Sequence, residues 1–137
     1  MQADSTYNLI ADGSIARIHG STAAAVDGIE RTLAALIADP GLHLRFSLLV
    51  DIRTLSMSLT SDEARSIAEV HVRLTRGRTL RTALLASAGS GYGIGRMIQT
   101  WAACSGLEMK VFTEEAGALT WLCEDETAPW PATGGAR

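Results

Sequence analysis

The sequence has too little cysteine for a disulfide framework: Cys104 and Cys123 are the only two in 137 residues. Both fall in or beside helical patterns, and the expectation is two small, buried, reduced side chains. An excess of positive charge is also missing. Twelve Lys and Arg against fifteen Asp and Glu leave a formal net charge of -3, which excludes the basic footprint that nucleic acid or an anionic membrane surface requires. No apolar run is long enough to cross a bilayer. No basic start followed by an apolar stretch marks a signal peptide. A soluble, cytoplasmic protein without stable membrane insertion is expected. Histidine is sparse, and His19, His43 and His71 form no cluster with metal-ligand spacing, so neither a metal nor a cofactor is expected.

What is present suits one ordinary domain: 47% apolar residues and 20% charged ones. Residues 7–11 and 14–19 are short β-leaning runs around "ADGS", where Asp12-Gly13 is a favoured two-residue hairpin turn. Gly20 stops the second run, and Ser21 or Thr22 can cap a helix. Val26, Ile29, Leu33, Leu36 and Ile37 then trace one helical face, ended by Asp39-Pro40-Gly41. Residues 46–52 are densely apolar without alternation, as in a parallel strand buried on both faces, with Asp51 near its C-terminal end. Thr60 or Ser61 can cap a second helix that carries Glu63 in its first turn. Ala64, Ile67, Ala68, His71 and Leu74 form its inner face.

Residues 80–86 read as the next strand. A glycine loop follows, then a helix whose buried face is expected to hold Ile94, Met97, Ile98, Trp101 and Ala102, with Trp101 as a core anchor. Residues 109–112 form a last strand. Thr113 can cap a final helix on which Trp121 and Leu122 help cover the sheet. Strands alternating with helices predict an α/β domain: a mostly parallel five-stranded sheet with an N-terminal β-hairpin and four helices. The domain is expected to span residues 1–124, and 125–137 to be a loosely ordered tail. Trp130 lies there between two prolines, and such a side chain needs something to pack on, its own domain or a second subunit.

The loop Gly89-Ser90-Gly91-Tyr92-Gly93-Ile94-Gly95 has the rhythm of a nucleotide site. A dinucleotide fingerprint needs G-x-G-x-x-G. Counting from Gly89 the sixth position is Ile94, and from Gly91 it is Arg96. A P-loop needs Lys and then Ser or Thr after its last glycine, but Gly95 is followed by Arg96 and Met97. Two readings stand. Free amides at the helix start, with Arg96 in reach, can hold an anion; or the glycines let the turn lie tight against its neighbours.

Several stretches together resemble the SpoIIAA-like group of the STAS domains, the fold of anti-sigma-factor antagonists. They are "IARIHG" in the opening hairpin, "LLVDIR" ending its strand at Asp51, "TSDEA" opening the second helix, and "KVFTEEAGALTWL" at the close. The resemblance covers residues 7–122. It implies a regulatory module, and by a further likeness of that group to a lipid-transfer fold, an apolar ligand. The signalling antagonists place a phosphorylatable serine after an aspartate at the start of the second helix; the matching residues 55–63 hold serines but no Asp-Ser-Ser-Gly pattern.

The resulting expectation is a non-enzymatic regulatory or interaction module. Its working surface is a cleft lined by Leu55, Met57, Ser61, Ser90 and Tyr92, with Arg96 beside it, open to a small apolar or anionic ligand or to a protein partner. Phosphate on Ser61 would sit at a helix N-terminus, where negative charge is favoured; simple capping is the plainer role. Two alternatives are a small hydrolase-like enzyme using Asp51 or His71 as base, and a structural homodimer formed through helix faces or the Trp130 segment. Arg73, Arg76, Arg78 and Arg81 are a local positive group, a grip for phosphate or carboxylates or a solvated helix end.

Overall fold

The computed structural model describes residues 6–20 and 25–124, without the side chain of Met57. The elements are β1 (Thr6–Ile10), β2 (Ile15–His19), α1 (Ala25–Ile37), β3 (Phe46–Asp51), α2 (Ser61–Thr75), β4 (Thr79–Leu85), α3 (Ser90–Cys104), β5 (Met109–Phe112) and α4 (Glu115–Leu122). The strands lie in the order β1-β2-β3-β4-β5. β1 and β2 are antiparallel, and every later neighbour is parallel. This is the predicted α/β fold.

The hairpin differs from the two-residue turn expected at Asp12-Gly13. Ile10 pairs with Ile15, so residues 11–14 form the connection. Ala11, Asp12 and Gly13 all have positive φ, at 51°, 58° and 92°. The amide of His43 donates to the Gly13 carbonyl, and a Cβ on Gly13 would meet the Gly41 carbonyl at 2.1 Å. Docking against the loop after α1 therefore selects this longer turn, which glycine at its end allows.

Side chains alternate across the sheet. Ala16, Ile18, Leu48, Val50 and Leu84 face α1, α2 and α3 and join Ile29, Leu33, Leu36, Ile67 and Ile98 in the larger core. Ile15, Leu49, Ala83 and Leu85 face the other way, against Ala118 and Leu122 of the short α4. β3 is buried along its whole length, which is why its sequence shows no alternation. Each fully buried aliphatic side chain contributes about 1.5–3 kcal/mol.

Caps set the helix starts. Thr60 closes a capping box with Glu63 at α2. Gly89 is the N-cap of α3, with φ 73° and no side-chain cap. At α4 the N-cap is Glu114 rather than Thr113, again with no side-chain bond. Ser21, Thr22, the 125–137 tail and Trp130 lie outside the described residues.

Two packing expectations are corrected. The buried stripe of α3 runs through Gly91, Gly95, Ile98 and Ala102. Trp101 stands one position off it, is 42% exposed, and is stacked by the Arg65 guanidinium at 4.7 Å. Cys104 and Cys123 are free but exposed, not buried, because each falls at the C-terminal end of a helix, past the last residue that faces the sheet. No described helix is long and apolar enough to cross a membrane.

Candidate functional site

Parallel sheets present their sites where the strands end, because the βα loops gather there. The register sets His19 of β2 beside Asp51 of β3, with Arg17 beside Leu49. Asp51 is 3% exposed and heavily bonded. The Arg53 amide and Nε both donate to its Oδ1 at 3.0 Å, and Arg53 Nη2 donates to Oδ2 at 2.8 Å. Arg17 Nη2 reaches the same oxygen at 3.2 Å, and His19 Nδ1 lies 3.5 Å from it. The other Nη of Arg17 donates to Glu115, the first residue of α4. Burial alone would raise the Asp51 carboxyl. The side-chain and backbone bonds from Arg53, with the charges of Arg53 and His19, outweigh it and hold the group below the usual carboxylate range. The result is a closed ionic cluster that joins β2, β3 and α4.

The other half of this edge joins the β3–α2 loop to the glycine loop. Ser56 is fully buried. Its Oγ lies 2.9 Å from Ser87 Oγ and accepts from the Ser87 amide at 3.3 Å. Above this pair sits Gly91, where a Cβ would meet Ser87 Oγ at 1.9 Å and Ser56 Oγ at 2.7 Å. At Gly95 a Cβ would meet Val111 Cγ2 at 2.6 Å. Gly93 opens onto free space. Two of the four glycines are thus required by close approach, and Gly89 by its positive φ.

The sequence-predicted site residues are placed unevenly. Leu55 is fully buried in the larger core. Ser61 is the first, exposed residue of α2, and Thr60 does the capping. Ser90 is exposed at the start of α3. Tyr92 is half-buried against the larger core, and Arg96 is exposed further along α3. Met57 belongs to the 3-10 turn Ser56–Ser58, and its side chain lies outside the described residues. The two loops meet, but through Ser56 and Ser87, and the recess of about 210 Å³ opens at the opposite end of the sheet, around Val72, Thr79, Leu80 and Leu107.

His71 is not brought to Asp51. It lies about 15 Å along α2 from Ser61 and is fully buried. Its Nδ1–H donates to the Ile67 carbonyl at 2.8 Å, while Nε2 has no partner among the described residues. Burial pushes its pKa down, against the opposing effect of the Ile67 bond, so it is a neutral core residue. Among the described residues no three His, Cys, Asp or Glu side chains gather as metal ligands would.

The arginines predicted as a positive group separate. Arg73 bonds Glu30, and Arg78 bonds the carbonyls of Leu44 and His43. Arg81 bonds the Trp121 carbonyl at 2.7 Å and Glu124 at 3.0 Å, and stacks on the Trp121 ring. Arg17, Glu115, Ser56 and Ser87 are the structural partners that sequence reasoning missed. Only strand register could have placed Arg17 beside the Asp51 strand end. The Ser56–Ser87 contact had no sequence signal beyond two loops ending on one edge. Comparison of the chain with protein families, with curated proteins and with solved structures gives no match.

Proposed function

We propose that the chain is a non-catalytic regulatory interaction module of the STAS type, and that it recognises a protein partner through the edge where β2, β3 and β4 end. The observation that carries this reading is the filling of that edge. Asp51 is held by Arg17 and Arg53, and the Ser56–Ser87 pair locks the two loops. A general base needs a substrate proton within hydrogen-bond reach and a pKa matched to its work. An ion-paired Asp51 and a core-buried His71 fit that poorly. A braced edge displaying His19, Arg53, Ser61, Ser90 and Arg96 suits contact with a folded surface, where preorganisation limits the entropy cost of binding. The element order, with the hairpin first, is the order on which the resemblance to the STAS domains rests.

Ser61 adds a means of control. Ser61 is an exposed residue and Thr60 supplies the cap, so phosphorylation would add charge at a helix start without breaking the capping box. A photo-crosslinking residue placed at Ser61 or Ser90 in the native cells, with Arg31 of α1 as the control position, tests the reading. A discrete protein adduct from the loop positions alone is expected. Equal adducts from all three positions, or none, would overturn it.

A further inference from the structure

The sheet has two edge strands, β1 and β5, and they are finished differently. An edge strand leaves a row of backbone donors and acceptors that must be covered or paired. At β5 they are covered. The Thr82 amide donates to the Glu108 carbonyl and the Ala86 amide to the Phe112 carbonyl, so the even-numbered residues of β5 turn their backbone groups to β4. Met109 and Val111 turn theirs outward. There the Val111 amide donates to Gln99 Oε1 of α3 at 2.8 Å, and the side chains of Met109 and Val111 are buried.

At β1 they are open. The Ser47 amide donates to the Ser14 carbonyl and the Gly20 amide to the Asp51 carbonyl, so the even-numbered positions along β2 face β3 and the odd-numbered ones face β1. Ile15, Arg17 and His19 stand opposite Ile10, Asn8 and Thr6. These are the pairs that exchange bonds in the hairpin, and the alternation of an antiparallel ladder turns the amides and carbonyls of Tyr7 and Leu9 outward. Those four groups have no partner among the described residues. The strand, Thr-Tyr-Asn-Leu-Ile, carries no charge, proline or glycine, so the usual devices that keep an edge from pairing are missing. Tyr7 is held in place by its hydroxyl, which donates to Asp39 Oδ2 at 2.8 Å.

We infer that β1 is a dimerisation edge: two copies of the chain join antiparallel through β1, about a two-fold axis at Asn8, and extend the sheet across both. The strand is complementary to itself in this register and no other outward pairing is centred on it. The groups that face outward belong to Tyr7 and Leu9, and the axis sets Tyr7 of each copy opposite Leu9 of the other, as bonded pairs that satisfy all four groups in each. Their side chains share the α1 face, where both already pack on the larger core, and an aromatic opposite an aliphatic is a favourable cross-strand pair. On the other face Asn8 meets Asn8, and Thr6 meets Ile10. No like charges are opposed. The contact is isologous, so it closes at two copies. A five-residue pairing is a small interface, and the dimer dissociates on dilution.

The test uses the full chain. In sedimentation equilibrium the wild type is expected to pass from monomer to dimer between about 1 μM and about 1 mM. Asn8→Lys, at an exposed position, sets two like charges face to face on the axis. It should move that transition about tenfold or more to higher concentration while circular dichroism keeps the native signal. Register is read separately, in a background with Cys104→Ser and Cys123→Ser, since both native thiols are exposed. Asn8→Cys should oxidise to a covalent dimer, because opposed Cα atoms of a non-bonded pair lie about 4.5 Å apart, within disulfide range. Thr6→Cys, equally exposed but opposite Ile10, should not. A wild type that stays monomeric throughout would overturn the inference. A dimer that Asn8→Lys leaves unchanged, or in which the Asn8 and Thr6 cysteines link equally, would assign dimerisation to another surface and overturn it too.

Discussion

The two ends of the parallel sheet are built from similar residues and finished differently. Where β3 and β4 end, a buried carboxylate is surrounded by two arginines, two serines pair across adjacent loops, and Gly91 lies directly on them. Where β4 and β5 begin, the Thr79 hydroxyl has no partner among the described residues, a leucine is exposed, and a recess remains. Burying a polar group is tolerable only when its bonds are made. The first end meets that condition internally and the second does not. The glycine-rich loop, the motif that most resembles a ligand site, belongs to the closed end, where its glycines serve packing.

The sharpest way to break this contrast is at Asp51. Asp51→Asn leaves Arg17 and Arg53 without their shared anion. Removing one partner of a buried pair costs about 3–5 kcal/mol, and about 2–3 kcal/mol is expected here because Arg53 is partly exposed to water. Urea unfolding with an unchanged slope would check it. The wild-type acid limb gives a second measure. A carboxyl whose folded pKa is lowered contributes stability that is present above its unfolded value, about 3.9, and that is lost as pH falls through the lower folded value. Asp51→Asn should remove that part of the acid limb. A loss below 1 kcal/mol, about the value of an exposed pair, would mean the cluster is ornamental.

The glycines divide the closed end more finely. Gly91→Ala should destabilise by about 1–3 kcal/mol, the usual cost of overpacking, because the new methyl would overlap Ser87 Oγ. Gly93→Ala, two residues on in the same helix, has open space and should stabilise by about 0.5–1 kcal/mol. Opposite signs in thermal unfolding would confirm that the loop is a packed joint. Equal, small effects would point instead to a loop left loose for a ligand.

His71 tests the interior between the two ends. Its folded pKa is held down, so its contribution is present above the unfolded value of about 6.5 and is lost as pH falls below it, when the unfolded chain takes up a proton that the folded one refuses. His71→Leu exchanges one bond to the Ile67 carbonyl for apolar burial and should change stability at pH 8 by less than about 1.5 kcal/mol. It should also flatten the slope between pH 7 and 5. A slope that persists would show that His71 is not its source.

Most of the architecture was legible because the sheet is buried on both faces. The run Phe46–Asp51 cannot sit at a surface, and the stripes on α1 and α2 have one periodic solution. Trp101 was misread because a helical stripe was drawn one residue too wide; small Gly95 and Ala102 carry the contact with the sheet. The site was much less legible. Asp51 stood out by its place at a strand end and has Arg53 two positions on, but Arg17 comes from β2, and Glu115, which Arg17 bonds in turn, lies sixty-four positions away at the start of α4. Pairings across a sheet depend on register and on which face a helix covers, and neither is written in local spacing.

The smallest contrast concerns the start of α2, where the sequence left Thr60 and Ser61 as equal candidates for the cap. Thr60 takes the Glu63 amide at 3.1 Å, and Glu63 returns a bond to the Thr60 amide at 2.9 Å. Thr60→Ala should therefore cost about 1 kcal/mol. Ser61→Ala should cost less than about 0.5 kcal/mol, as surface substitutions do. Unfolding of the two variants side by side checks the assignment. If Ser61→Ala proves the costlier, its hydroxyl has a structural duty and is poorly placed as a modification site. If the order is as expected, the serine is dispensable to the fold, and any effect of its loss on partner binding belongs to the interaction itself.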